Sequence, residues 1–176
     1  MNGSQERRPE YSLRDFRIDD CQDLVQHLSN QNISKWLRRV PEPYLESDAR
    51  KFICDLIQDE KSINRVFHKK AIIVSDKVVG CVGLQLDDAN KSGMIGYWLA
   101  EEYWGRGIMT HAARQMIDYG FTNLGLLKIM GWTDSNNVAS KIVLTKLGFK
   151  YVGDGTVTKC NGKIVPINNY ELTNPE

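Results

Sequence analysis

The sequence has no long apolar run. None of its hydrophobic stretches approaches the ~20 residues needed to cross a bilayer. The opening segment, Met1 to Tyr11, is polar and has no apolar centre of the kind a targeting peptide carries. Cysteine is sparse: Cys21, Cys54, Cys81 and Cys160 are the four present. No pair forms C-x-x-C or another metal-ligand spacing, so no metal site is expected. Charge of one sign is also lacking, because the formal net charge is +1. Nucleic-acid and membrane partners usually show as a basic excess, so neither is expected. The doublets Arg7-Arg8, Arg38-Arg39 and Lys69-Lys70 read as solvated surface. These absences together point to a cytoplasmic protein with reduced thiols.

What is present suits one globular domain. The chain has 176 residues, of which 41% are hydrophobic and 26% charged. That is apolar material enough for a core without disulfides or metals. Residues 1–10 read as a disordered lead-in and 11–172 as a single domain. Tyr11 to Arg17 alternates in polarity, as a strand does. Asp19 or Asp20 can cap a helix running to about Ser29, and Ser47 can cap one carrying Phe52, Ile53, Leu56 and Ile57 at helical spacing. Ala71 to Val74 and Val78 to Leu86 are expected as strands around a turn at Asp76-Lys77. Met94 to Leu99 is expected as the third strand of an antiparallel meander. A helix over Arg106 to Phe121, a strand over Leu127 to Trp132, and a helix over Asn137 to Leu147 stopped by Gly148 follow. Asn161-Gly162 is a hairpin turn between two last strands. The order β-α-α-β-β-β-α-β-α-β-β makes this an α/β (α+β) protein, a mixed, mostly antiparallel sheet with helices on its faces.

One segment carries chemistry. From Tyr97 to Thr110 a strand passes through a short turn into a helix whose start holds Gly105 and Gly107. A helix start leaves about four backbone N–H groups without helical partners. Glycine lets a ligand approach them, and the helix dipole adds positive potential. Such a place suits a pyrophosphate. Taken alone, the two glycines fit a tight strand-to-helix turn equally well. Other phosphate signatures fit worse. No G-K-[ST] follows, and the third glycine of a dinucleotide fingerprint is missing.

Two linked blocks then become specific. The first is Gly96-Tyr97-Trp98-Leu99 followed by Tyr103-Trp104-Gly105-Arg106-Gly107. The second is Asn137-Val138-Ala139-Ser140 followed by Leu144-Thr145-Lys146-Leu147-Gly148-Phe149. In order and separation they resemble the GNAT superfamily of N-acetyltransferases, and in particular its ribosomal-protein N-terminal acetyltransferase (Rim-type) branch. The resemblance spans about 11–172, with the specific motifs in 94–153. It implies the acyl-CoA N-acyltransferase fold, with a V-shaped splay in the sheet, and acetyl-CoA as acetyl donor with coenzyme A as product. Trp98, Leu99 and Ala100 would line the parted strand that receives the pantetheine arm. Gly105, Arg106, Gly107, Ile108, Met109 and Thr110 would meet the pyrophosphate. Asn137 would bond the cofactor near the end of its arm. Read without the resemblance, Arg106 fits a solvated surface residue and Asn137 a plain helix cap.

The catalytic part departs from the family pattern. Leu144 stands where many members carry an acidic tyrosine, and Trp132 where many carry a glutamate. Ser140 is the donor left for the departing thiolate, the role that the Rim-type branch implies. A plain surface serine is the other reading. The base is open among Glu101, Glu102, Asp87, Asp88 and His111. A backbone N–H near Leu99 would meet the developing oxyanion. The acceptor amine, a protein N-terminus or a small molecule, would sit near Ile33 to Leu45, with Trp36, Leu37 and Tyr44. A sensor that holds acetyl-CoA without turnover, and a polyamine or antibiotic acetyltransferase, are the alternatives. The sequence carries no signal for oligomeric state.

Overall fold

The computed structural model describes residues 10–87 and 91–174. The lead-in expected over 1–10 falls almost wholly outside the described residues, and Asp88 falls outside them too. Seven strands form one sheet: β1 (Ser12–Arg14), β2 (Phe67–Val74), β3 (Lys77–Leu86), β4 (Ser92–Leu99), β5 (Lys128–Asp134), β6 (Lys150–Thr158) and β7 (Ile164–Thr173). Their spatial order is β1-β2-β3-β4-β5-β7-β6. All neighbours are antiparallel except β4 and β5. The helices are α1 (Cys21–Leu28), α2 (Gln31–Ser34), α3 (Glu46–Glu60), α4 (Ile108–Thr122) and α5 (Val138–Lys146). The expected fold class is the observed one.

Helices cover both sheet faces because the strands are apolar on both. Ile108, Met109, Ala112, Ala113, Met116 and Ile117 of α4 recur on one stripe and bury against Val82, Leu84, Ile95 and Ile129. A Cβ on Gly120 would stand 2.8 Å from Leu84 Cδ1, so glycine lets α4 lie close on the sheet. On the other face, Leu24, Leu28, Ala49 and Ile53 of α1 and α3 pack on Ala71, Ile73, Val78 and Cys81. Each fully buried leucine or isoleucine contributes about 1.5–3 kcal/mol of transfer free energy.

The structure corrects several local expectations. The first strand is shorter than Tyr11 to Arg17 because Asp20 draws the chain round. Its carboxylate accepts from Arg14 at 2.8 and 2.7 Å and from the Arg17 N–H at 2.7 Å. That carboxylate therefore does not cap α1. Ser47 is not the cap of α3 either: the helix starts at Glu46, and Asp48 reaches back to the Leu45 N–H at 2.9 Å. The short helix α2 was not expected. Asn30 starts it by accepting from the Asn32 N–H. The β2–β3 turn is Ser75-Asp76, one residue earlier than expected, with φ of 48° and 63°. Strand β2 begins at Phe67, ahead of the expected Ala71. Lys69 and Lys70 hide its period. Lys70 pairs with Asp15 at 2.6 Å, and Lys69 is half-buried rather than solvated.

Candidate active site

The site grows from one break in the sheet. Strands β4 and β5 pair only as Ser92↔Lys128, Gly93↔Ile129 and Met94↔Met130. Beyond Met94 they part, although β4 runs on to Leu99 and β5 to Asp134. Strand β5 is held away by β7, with which it pairs along its whole length. The implied splay is therefore present.

Alternation decides which backbone groups the break frees. The Asp87 N–H bonds the Ser92 carbonyl at 3.0 Å, and the Ala100 N–H bonds the Val79 carbonyl at 2.7 Å. Even-numbered residues of β4 thus serve β3, and Tyr97 and Leu99 turn their peptide groups toward the gap. The Leu99 carbonyl is taken by the Trp104 indole N–H at 2.7 Å. The Leu99 N–H stays directed into the gap. Of Trp98, Leu99 and Ala100, only Leu99 has this direction. Trp98 sends its ring to the opposite face, 6.3 Å from that of His27, and Ala100 is fully buried.

The chain then enters α4. A turn of 3-10 helix spans Glu101 to Tyr103, and Gly105 and Gly107 follow with φ of 73° and 75°. Both occupy the left-handed region, where a side chain is strained. Gly107 is the N-cap of α4 and offers no side-chain cap. The first helical acceptor is used by His111, whose N–H bonds the Gly107 carbonyl at 3.1 Å. The amides of Ile108, Met109 and Thr110 are left for a ligand. Arg106 stacks on the Tyr103 ring at 5.3 Å. A cleft of about 1460 Å³ joins this helix start to the gap and continues across the sheet to α3. That exceeds the usual volume for one small ligand, about 300–1,000 Å³, and is room for two reactants.

Helix α5 supplies the polar groups at the gap. The Asn137 side chain caps it by accepting from the Ser140 N–H at 3.1 Å. The Ser140 hydroxyl lies 2.9 Å from that of Tyr97. Burial pushes the Tyr97 pKa up to about 12, against the opposing effect of that bond. Tyr97 therefore keeps its proton at neutral pH. Leu144 faces the core at 1% exposure, and no acid can act from its place. Trp132 is half-buried on β5 and lines the cleft.

The base candidates separate by their partners. Glu101 accepts from Asn30 at 2.8 Å and from Asn32 at 3.1 Å, which hold its carboxyl below its ordinary pKa. It is a persistent carboxylate at the cleft edge. Glu102 lies 4.0 Å from His27, and Asp87 accepts from Ser92 Oγ at 2.7 Å. His111 is exposed on α4 outside the cleft wall. Sequence reasoning missed the Tyr97 hydroxyl and the Asn30–Asn32 clamp. Strand alternation could have found the first, since Tyr97 shares its face with Ile95 and Leu99.

The segment expected to shape the acceptor end is pinned from afar. The hairpin tip between β6 and β7 grips the segment after α2. Cys160 N–H bonds the Arg38 carbonyl at 2.9 Å, Arg38 Nε donates to the Thr158 carbonyl at 3.2 Å, and the Lys159 ammonium donates to the Lys35 carbonyl.

Comparison with known proteins agrees with this geometry. The family model described as Acetyltransferase (GNAT) domain matches residues 11–150. A Bacillus licheniformis protein named Uncharacterized N-acetyltransferase p20 is 30% identical over 171 residues, which are 94% of this chain and 93% of that protein. Spermidine N(1)-acetyltransferase of Escherichia coli K12 is 26% identical over 145 residues, 81% of this chain and 74% of that protein. The crystal structure of a "Probable acetyltransferase" superimposes with a TM-score of 0.82 at 27% identity, covering 94% of both chains. That of ribosomal-protein-S5-alanine acetyltransferase from Vibrio fischeri gives 0.81 at 21% identity, over 96% of this chain and 95% of that one, which is a likeness of fold.

Proposed function

The chain belongs to the GNAT acetyltransferase family, and from that premise we propose that it moves the acetyl group of acetyl-CoA directly onto the free amine of a protein N-terminus or a small molecule. One observation carries the reading. A bare helix start, a parted strand pair and a hydroxyl pair open into the same cleft.

The residues present fit acetyl-CoA. The amides from Ile108 to Thr110 and the two positive-φ glycines offer N–H groups and dipole to a pyrophosphate. The edge of β4 at Tyr97 and Leu99 offers main-chain pairing to an amide-bearing arm. The Asn137 side chain caps α5 through its carbonyl, which leaves its NH₂ group for that arm.

Attack needs a neutral amine, an oxyanion donor and a proton for the leaving sulfur. The Leu99 N–H is the proposed donor to the developing oxyanion. The Ser140 hydroxyl is the proposed donor to the sulfur, backed by the protonated Tyr97 hydroxyl 2.9 Å away, and the proton that the attacking nitrogen sheds returns through water in the cleft to this pair, which ends the step as it began. No covalent enzyme intermediate is required, because both reactants sit in one cleft. Glu101 is a weak base, since its partners favour the charged form. The amine therefore arrives neutral from solution, and the rate rises with the free-base fraction of the acceptor. Calorimetry with acetyl-CoA and a thiol-release assay across an amine panel test the reading. Absence of binding in the wild-type protein would sink it.

A further inference from the structure

The cleft has a second half, on the α1–α3 face, that the acetyl donor does not need. Its floor is a row across three strands. Lys69 pairs with Gly83, and Gly83 pairs with Gly96. Gly96 is exposed in the middle of β4, with nothing within 4 Å of where its Cβ would stand. It adjoins Tyr97, so an amine waiting at the gap lies over it. Gly83 makes room for something else. A Cβ there would stand 2.6 Å from Lys69 Cγ, so the lysine stem rests on the sheet where a side chain is missing.

Lys69 is a cation without a counter-charge. Its ammonium lies 5.1 and 5.2 Å from the ring centroids of Phe52 and Phe67, and no carboxylate among the described residues comes within 4.0 Å. Burial lowers its pKa, and nearby Arg39 acts the same way while Cys81 opposes. Burial also pushes Cys81 up to about 11, so it stays a thiol and balances nothing. The carboxylates lining this cleft are already used. Asp48 caps α3, Asp55 pairs with Lys51 at 2.9 Å, Asp87 holds Ser92, Glu101 holds Asn30 and Asn32, and Asp134, at the far end on β5, accepts from the Asn136 N–H at 2.9 Å. Arg39 has no carboxylate partner among the described residues either, and Arg38 spends its Nε on a carbonyl. Holding a half-buried cation beside a like charge is costly unless an anion arrives.

We infer that the acceptor carries a carboxylate, which Lys69 and Arg39 receive while its amine lies over Gly96. The inference rests on the acetyl-transfer reading and names its substrate class. The row from Gly96 to Lys69 covers two strand spacings, about 10 Å, and an extended peptide crosses that in about three residues. On a protein N-terminus the carboxylate belongs to the second or third side chain. A small amine with a carboxylate at similar reach presents the same chemistry.

The test compares acceptors in the thiol-release assay at fixed acetyl-CoA. Hexapeptides with a free N-terminus carry acidic, amide or lysine side chains at positions two and three. Spermidine and a small amino dicarboxylate complete the panel. The wild-type kcat/KM is expected to be about tenfold higher for the acidic than for the amide peptide, and lower still for the lysine peptide and spermidine. A strong dicarboxylate substrate assigns the carboxylate to a small molecule, and a weak one to a protein N-terminus. In Lys69→Met the acidic-to-amide ratio collapses toward one, and Lys69→Arg restores part of it. Arg39→Gln, at an exposed position, lowers the ratio by about threefold and guards against a folding failure of the first variant. Preference for lysine or spermidine in the wild type, or an unaltered ratio in Lys69→Met, overturns the inference while leaving acetyl transfer standing. Failure of the wild type to bind acetyl-CoA in calorimetry overturns both.

Discussion

The α4 side of the cleft offers mostly main chain, joined by the side chains of Tyr97, Asn137 and Ser140, and the α1–α3 side offers side chains. On the first, the proposed working amides are those of Leu99 and of Ile108 to Thr110, exposed by a strand that loses its partner at Met94 and by glycines at positive φ. On the second, they are Lys69, Arg39, Glu101 and its two asparagines, set around bare Gly96. A main-chain site suits a ligand that never varies, because peptide groups are the same in every residue. A side-chain site can be changed one residue at a time, and that suits an acceptor that differs between relatives.

Substitutions that strike one side alone would break or sharpen the contrast. The largest effect is expected from Gly107→Asp, which strains a left-handed position and puts a negative charge at the proposed pyrophosphate site. Calorimetry should show acetyl-CoA affinity reduced by about 100-fold or more, that is, by roughly 3 kcal/mol. Ser140→Ala should lower kcat by about 10- to 100-fold with little change in that affinity. An unchanged kcat would remove Ser140 from the chemistry. Gly96→Leu fills the open floor on the other side. The acceptor KM should rise by about tenfold while acetyl-CoA binds as before, and a matching loss of cofactor affinity would show that the two halves are not separate.

The smallest effect is one of stability. The Tyr97 pKa is raised, so folding favours its protonated form. That contribution is complete below the ordinary tyrosine value near 10 and is lost as pH rises toward about 12. Tyr44 is raised in the same direction by burial, so the wild type loses stability from both. Urea unfolding at pH 8 and pH 11 should show Tyr97→Phe losing roughly 1 kcal/mol less than the wild type across that interval.

The same division explains what could be read from the chain. Gly105 and Gly107 are legible because positive φ beside a helix start demands glycine, and Asn137 because a cap demands a short acceptor. Strand β4 and the helices on its face follow from apolar period. Lys69 was hidden because its proposed role depends on Gly83, on Phe52 from α3 and on the lack of a carboxylate partner among the described residues, none of which is local. Asp20 and Ser47 both look like caps. Only the tertiary partner Arg14 and the competing Asp48 decide that neither acts as one on its helix. Asn30 and Asn32 lie about seventy residues from Glu101, and their polar run gives no hint of the carboxylate they share.

The ribbon tip at Thr158 to Cys160 clasps the backbone of Lys35 and Arg38. The rim of the proposed acceptor mouth is thus tied down by the β6–β7 ribbon, whereas the helix start at Gly107 has no contact with that tip. A single cut at the ribbon tip would loosen that rim while leaving in place the β5–β7 ladder that keeps the gap open.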